Sequence, residues 1–219
     1  MRVAIAVPSY SDWKAPMGIS MAMLASYCTA KGIQFALISH GGTLIAKARN
    51  ALVRMAQQTG ADWILFVDDD MTFPMDALAR LLAHDKDIVG VAACGRVPPY
   101  EIGGVLAEQA SSGLVEALRL GMGMMLVRMS VFDRTPAPWF AHSFEEPRTP
   151  ENPDGEMGED YYFVRKALEH GARAYCDLDL TPSIGHIGDQ VFHVTPDQLN
   201  GGFGRASPLS AIPSWSIKK

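Results

Sequence analysis

Short apolar runs separated by stretches of helical periodicity govern what this chain can fold into. RVAIAV (2–7), QFALIS (34–39), DWILFV (62–67) and DIVGVAA (87–93) each read as a strand. Such near-continuous apolar runs suit strands covered on both faces. Between them, residues 16–31, 43–58 and 74–83 read as helices. Gly32 and Gly60 stand where a C′ glycine ends a helix, and Pro74 is placed to open one. The alternation predicts right-handed crossovers and an α/β fold with a mostly parallel central sheet flanked by helices. Ligands of such sheets bind at the carboxyl ends of the strands. Pro8-Ser9-Tyr10 and Asp68-Asp69-Asp70 both lie at such ends, so one crevice can receive both.

Past residue 95 the pattern changes. Residues 114–118 and 122–128 read as strands flanking a turn with Gly121 and Gly123. Residues 135–158, TPAPWFAHSFEEPRTPENPDGEMG, have no periodicity and predict a long irregular loop. Long ordered loops in compact domains are commonly functional. Residues 159–170 read as a helix with Phe163, Val164, Ala167 and Leu168 inward, ended by Gly171. Residues 201–219 are rich in Gly, Ser and Pro and read as a tail or lid.

Composition removes several classes of function. With 19 basic against 24 acidic residues the net charge is −5, which disfavours a generic nucleic-acid-coating surface. Arg119, Arg128, Arg134 and Arg148 still permit a local basic groove. Cys28, Cys94 and Cys176 are too scattered for a disulfide framework or a cysteine zinc site. The apolar N-terminal run stops at Pro8, too short for a secretory signal, and no stretch is long enough to span a bilayer. A soluble cytoplasmic protein is expected. No G-x-G-x-x-G or Walker-type motif occurs, which argues against a nicotinamide enzyme and a P-loop ATPase.

Three consecutive aspartates after an apolar strand repel one another unless a cation neutralises them. Capping the next helix needs only one. Asp68 and Asp70 are therefore candidate ligands for a hard cation such as Mn²⁺ or Mg²⁺. His186, in IGHIG, has glycines close on both sides that allow a ligand near; beside a carboxylate site it becomes a third metal ligand. Glu159 and Asp160 open a helix, where acidic residues are ordinary decoration, but they also follow the long loop and offer a general base. Lys47, Arg49 and Asn50 in AKARNAL form either a solvated polar face or a cation and amide reaching a diphosphate or base. The glycines of GMGMM let backbone approach a substrate.

In order, these pieces resemble a glycosyltransferase of the GT-A fold, close to family 2: an opening strand ending VPSY, an ARN helix, a strand ending in D-x-D, the segment GMGMMLVRMSVF, an ED pair opening a helix, and a late histidine in TPSIGHIG. The likeness runs from about Val3 to Gly188 and is similar to small bacterial and phage-encoded transferases. It implies one Rossmann-like domain over residues 1–200, with a nucleotide-binding half (1–95) and an acceptor-side half (96–200). By the resemblance Pro8, Ser9, Tyr10, Arg49, Asn50, Asp68 and Asp69 contact the donor nucleotide. Asp68, Asp70 and His186 hold Mn²⁺ or Mg²⁺. Asp160, with Glu159 second, deprotonates an acceptor hydroxyl, and inversion at the anomeric carbon follows. Gly121, Gly123, Trp139 and Tyr100 lie on the acceptor side, where Arg96, Tyr100, Trp139 and Phe140 form a stacking surface. The implied donor is a nucleotide-sugar, a UDP-sugar first, and the acceptor a glycan or a hydroxymethylated base in phage DNA. A sugar-nucleotide nucleotidyltransferase is the alternative enzyme, but PSYSDWKAPMG is poorly suited to its glycine-rich basic loop. A binding module without turnover would not need both the aspartates and the ED pair.

Overall fold

The apolar runs form strands, although the fourth is strand only over Ile88–Gly90 and the second, at the edge of the sheet, is partly buried rather than covered on both faces. A computed structural model describes residues 1–10, 12–96, 102–150 and 152–201. Strand β1 (Arg2–Ser9), helix α1 (Ala15–Ala30), strand β2 (Gln34–Gly41), helix α2 (Ile45–Gln58) and strand β3 (Trp63–Val67) follow one another. Strand β4 (Met71–Thr72), helix α3 (Ala77–Ala83) and strand β5 (Ile88–Gly90) come next. The second half holds β6 (Gly104–Leu106), β7 (Leu114–Leu120), β8 (Met124–Arg128), α4 (Met129–Arg134), α5 (Glu159–Glu169) and β9 (Ala174–Asp177). A 3₁₀ turn (Thr181–Ser183), β10 (Gly185–Ile187), β11 (Val191–His193) and α6 (Pro196–Gly201) complete it. Gly32 and Gly60 end α1 and α2 with φ of 69° and 65°, the left-handed conformation a C′ glycine supplies. Helix α3 starts three residues later than Pro74 suggests, because Met71–Thr72 are drawn into pairing with β10 and a turn follows.

The large sheet has the order β2-β1-β3-β8-β5-β9-β7-β6. β2, β1, β3, β5, β9 and β6 run one way, while β7 and β8 oppose them. The sheet is thus mostly parallel in direction. One antiparallel strand, β8, is wedged between β3 and β5 and separates the two parallel groups. Its run MMLV is buried throughout, as a central strand must be.

Alternate residues of these strands feed two cores. Val3, Ile5, Val7, Leu65, Val67, Met124 and Leu126 face α1 and α3. Ala4, Ala6, Ile64, Phe66, Met125 and Val127 face α2, α4 and α5. Burial on both faces is the reason these strands read as unbroken apolar runs rather than alternating ones. The second core carries an aromatic chain. Phe66 meets Phe140 edge-on (centroids 5.5 Å apart), Phe140 stacks on Phe163 (4.7 Å), and Phe163 stacks on Phe132 (5.3 Å). Trp139 closes it, edge-on to Phe132.

That chain corrects the expected acceptor surface. Trp139 and Phe140 are core residues, 7% and 2% exposed, not a stacking platform. The Trp139 indole N–H donates to the Phe132 and Thr135 carbonyls. Apolar area in a Pro-rich loop was free to turn inward, and the facing Phe66 and Phe163 gave it a place to bury. Beyond Phe140 the loop carries a bridge between Ser143 and Met157 and a tight turn joining Thr149 and Asn152. Tyr100 and residues 202–219 lie outside the described residues. Among those described, no helix is long and apolar enough to cross a membrane.

Candidate active site

The three aspartates leave β3 and diverge, each to a different partner. Asp69 accepts the Ser9 hydroxyl at 2.7 Å, joining the ends of β1 and β3. Its carbonyl accepts the Lys14 N–H that leads into α1. Pro8 is buried, and Tyr10 stands 86% exposed at the rim. Asp68 turns the other way: its N–H donates to the Gly123 carbonyl, and its Oδ1 accepts Arg49 Nη2 at 2.7 Å. Gly123 itself is pressed against Met71, whose Cε would lie 2.9 Å from an added Cβ. It therefore brings β8 close under the aspartates.

Arg49 is 3% exposed, and its Nη1 donates to Glu159. The guanidinium thus spans two carboxylates, one after β3 and one at the start of α5. Burial works against its charge, but Asp68 and Glu159 hold it above its ordinary value and it stays a cation. Asn50, its neighbour, faces elsewhere. Its Oδ1 accepts the Trp139 and Phe140 N–H groups, and its Nδ2 donates to the Phe140 and Ala46 carbonyls. Every hydrogen-bonding position of that amide is used, so Asn50 clamps the loop and leaves nothing for a nucleotide.

Asp160 lies one residue on in α5. Its Oδ1 accepts the Tyr161 N–H at 2.8 Å, and its Oδ2 lies 3.7 Å from where a Cβ on Gly121 would stand. Burial first, then Glu159, pushes the Asp160 carboxyl above its usual range. The Tyr161 phenol, buried and beside Asp160, is pushed up to about 12 and remains a neutral hydroxyl.

His186 reaches this region through the small sheet β11-β10-β4, in which it pairs with Met71. The Ile187 N–H donates to the Asp70 carbonyl at 2.7 Å, and His186 Nε2 lies 3.3 Å from Asp70 Oδ2. His186 Nδ1 is 2.8 Å from the Cys94 carbonyl, which places the proton there and turns the Nε2 lone pair toward the carboxylate. Two acceptors facing at that distance require a proton or a cation between them. The hydrogen bond to Asp70 raises the imidazole above its ordinary value. Burial pushes Asp70 up, but His186 and Arg96 outweigh it and hold the carboxyl below its usual range. Arg96 Nη1 approaches Asp70 Oδ2 at 2.8 Å.

The expected three-ligand set does not assemble. Among the described residues no three His, Cys, Asp or Glu side chains are grouped closely enough to hold a metal ion. Asp70 and His186 meet, whereas Asp68 is committed to Arg49. His142, which sequence reasoning passed over, lies between Glu156 and Glu159 at 3.8 and 3.7 Å. Nothing in its local sequence marks it; only the fold of the loop brings it to the acidic pair. Of the arginines that permitted a basic groove, Arg119 pairs with Glu146, Arg128 with Asp85 and Arg134 with Asp87, while Arg148 is exposed.

A family model for glycosyl transferase family 2 matches residues 20–141, more than half of the chain. The chain belongs to that family. It is therefore a glycosyltransferase, and its mixed α/β architecture is the GT-A fold. The fold is similar to the crystal structure of A197 from STIV, with a TM-score of 0.58, 17% identity, and coverage of 90% of this chain and 92% of that one. A TarS fragment from S. aureus matches with a TM-score of 0.48, 16% identity, and coverage of 82% and 58%. A mutant Drosophila β-1,4-galactosyltransferase 7, in complex with manganese, UDP-Gal and xylobiose, matches with a TM-score of 0.48, 14% identity, and coverage of 94% and 75%. No curated protein sequence gives a significant match.

Proposed function

We propose that this glycosyltransferase moves a sugar from a nucleotide-sugar, a UDP-sugar first among the candidates, to a hydroxyl of a glycan, inverting the anomeric centre. The observation that carries the reading is a pair of linked carboxylate groups. Asp70 meets His186, and Asp68, two residues before it, is tied through Arg49 to Glu159 of the Glu159–Asp160 pair.

Ser9, which donates to Asp69, and the exposed Tyr10 would meet a nucleoside at the ends of β1 and β3. Asp70 and His186, with the imidazole tautomer already set by Cys94, suit a hard divalent cation, Mn²⁺ or Mg²⁺, shared with the donor diphosphate. Such a cation would offset the charge that develops on the departing diphosphate. Asp160 takes the proton from the acceptor hydroxyl. Its raised carboxyl range brings it nearer to the working pH of a base, and Gly121 opposite leaves room for the acceptor. The acceptor oxygen forms its bond to the anomeric carbon as the bond to the diphosphate oxygen breaks on the opposite face. The pairing of Arg119, Arg128 and Arg134 with carboxylates favours a glycan over a hydroxymethylated base in DNA.

The test is hydrolysis of UDP-, GDP-, CMP- and dTDP-sugars with Mn²⁺ or Mg²⁺, with and without a chelator, followed by an acceptor screen on the active donor. Metal-dependent release of one nucleotide, abolished in Asp70→Ala, is expected. Absence of release from every donor, together with no nucleotide binding, would overturn the reading.

A further inference from the structure

A guanidinium that serves a substrate keeps a terminal nitrogen directed at it. In Arg49 both terminal nitrogens are directed instead at carboxylates, one at Asp68 and the other at Glu159, and the side chain is almost wholly enclosed. Its Nε has no hydrogen-bond partner among the described residues. The two carboxylates belong to different parts of the fold, since Asp68 follows β3 whereas Glu159 is the first residue of α5. Asp70 lies two residues beyond one of them, and Asp160 lies next to the other.

The guanidinium is planar and its terminal nitrogens are held at a fixed separation, so it sets a distance between the oxygens it binds. Lysine, a single point charge on a flexible stem, cannot impose that distance. A buried cation between two carboxylates also gets no relief from water: weakening one partner leaves its charge to be balanced by the other alone. Glu159 Oε2 faces His142, so the far end of the link opens toward the loop.

We infer that Arg49 is a positioning residue that sets the donor-side aspartates and the acceptor-side acidic pair at one separation, so that a change at Glu159 is felt where the donor nucleotide binds. This rests on the proposed donor role of the aspartates. It assigns Arg49 no contact with the nucleotide.

The experiment is a double-mutant cycle read by nucleotide affinity. Wild type is titrated calorimetrically with UDP, GDP, CMP and dTDP in the presence of Mn²⁺, and the tightest of the four is used throughout. Glu159→Gln, Arg49→Lys and the double variant are then titrated, with circular dichroism to confirm folding. Arg49→Gln replaces the lysine variant if that one fails to fold. Glu159→Gln is expected to weaken binding about tenfold when Arg49 is present and less than about twofold in the lysine background, a coupling of at least about 1 kcal/mol. Equal effects of Glu159→Gln in both backgrounds would overturn the inference while leaving the proposed function standing. A wild type that binds none of the four nucleotides would overturn both. A purely structural arginine would lower the melting temperature without this non-additivity in affinity.

Discussion

At the scale of single residues, burial decides which polar side chains can do chemistry. Asp160 is pushed above the ordinary carboxylate range chiefly by burial, so folding favours its protonated form relative to the unfolded chain. The penalty is absent below the unfolded pKa and grows as pH rises through the unfolded and then the folded value. Asp160→Asn is therefore expected to melt higher than wild type at neutral pH, with the gain vanishing in acid. The same variant should lose roughly 10²–10⁴-fold in transfer while keeping nucleotide affinity. Transfer by the wild type should correspondingly fall on the acid side at a pH above that of an ordinary aspartate. Scanning calorimetry against pH, beside a pH–rate profile, checks all three. Asn50 makes the opposite case. Asn50→Ala strands the buried N–H groups of Trp139 and Phe140, so a loss of about 1–3 kcal/mol is expected in urea unfolding, with nucleotide affinity unchanged. A loss of affinity without a loss of stability would return Asn50 to the nucleotide site.

At the scale of elements, the short sheet β11-β10-β4 matters more than its size suggests. It is what carries His186 to Asp70. Gly185 makes the pairing possible, because a Cβ there would run into Thr72, Val191 and His193. Gly185→Ala is expected to weaken metal-dependent nucleotide binding by about tenfold or more, as disturbed ligand support does elsewhere. Far-UV dichroism should stay near wild type, because the large sheet does not depend on this hairpin. Unchanged binding in a folded Gly185→Ala variant would detach β10 from the metal question. The IGHIG sequence marked the glycines as room for a ligand; at Gly185 the room is taken by the neighbouring strands.

At the scale of the whole molecule, the order of strands ties the halves together. β8 and β9 belong to the same sheet as β1 and β3, and the aromatic chain runs from Phe66 on β3 to Phe163 on α5. Phe163 is fully buried, so Phe163→Ala is expected to destabilise by about 3–5 kcal/mol. Because core and site share α5, the loss should appear in one cooperative transition seen alike by near- and far-UV dichroism. Two separate transitions, with only one shifted, would show that the halves fold independently.

The chain's own sequence determined the strands, the helices and the D-x-D and ED signals, because burial on both sheet faces and helical periodicity are local, repeated patterns. It also placed Ser9, the aspartates and Asp160 at the ends of their elements, since an element's end is written in the residues that stop it. Only the tertiary structure decided who meets whom. Whether Trp139 faces solvent or Phe132, whether Arg49 reaches a ligand or two carboxylates, and whether Asp68 joins His186 all depend on partners distant in sequence. Each candidate partner is chemically ordinary alone. The insertion of β8 between β3 and β5, and the pairing of β10 with β4, chose among them by fixing distances that no local pattern encodes.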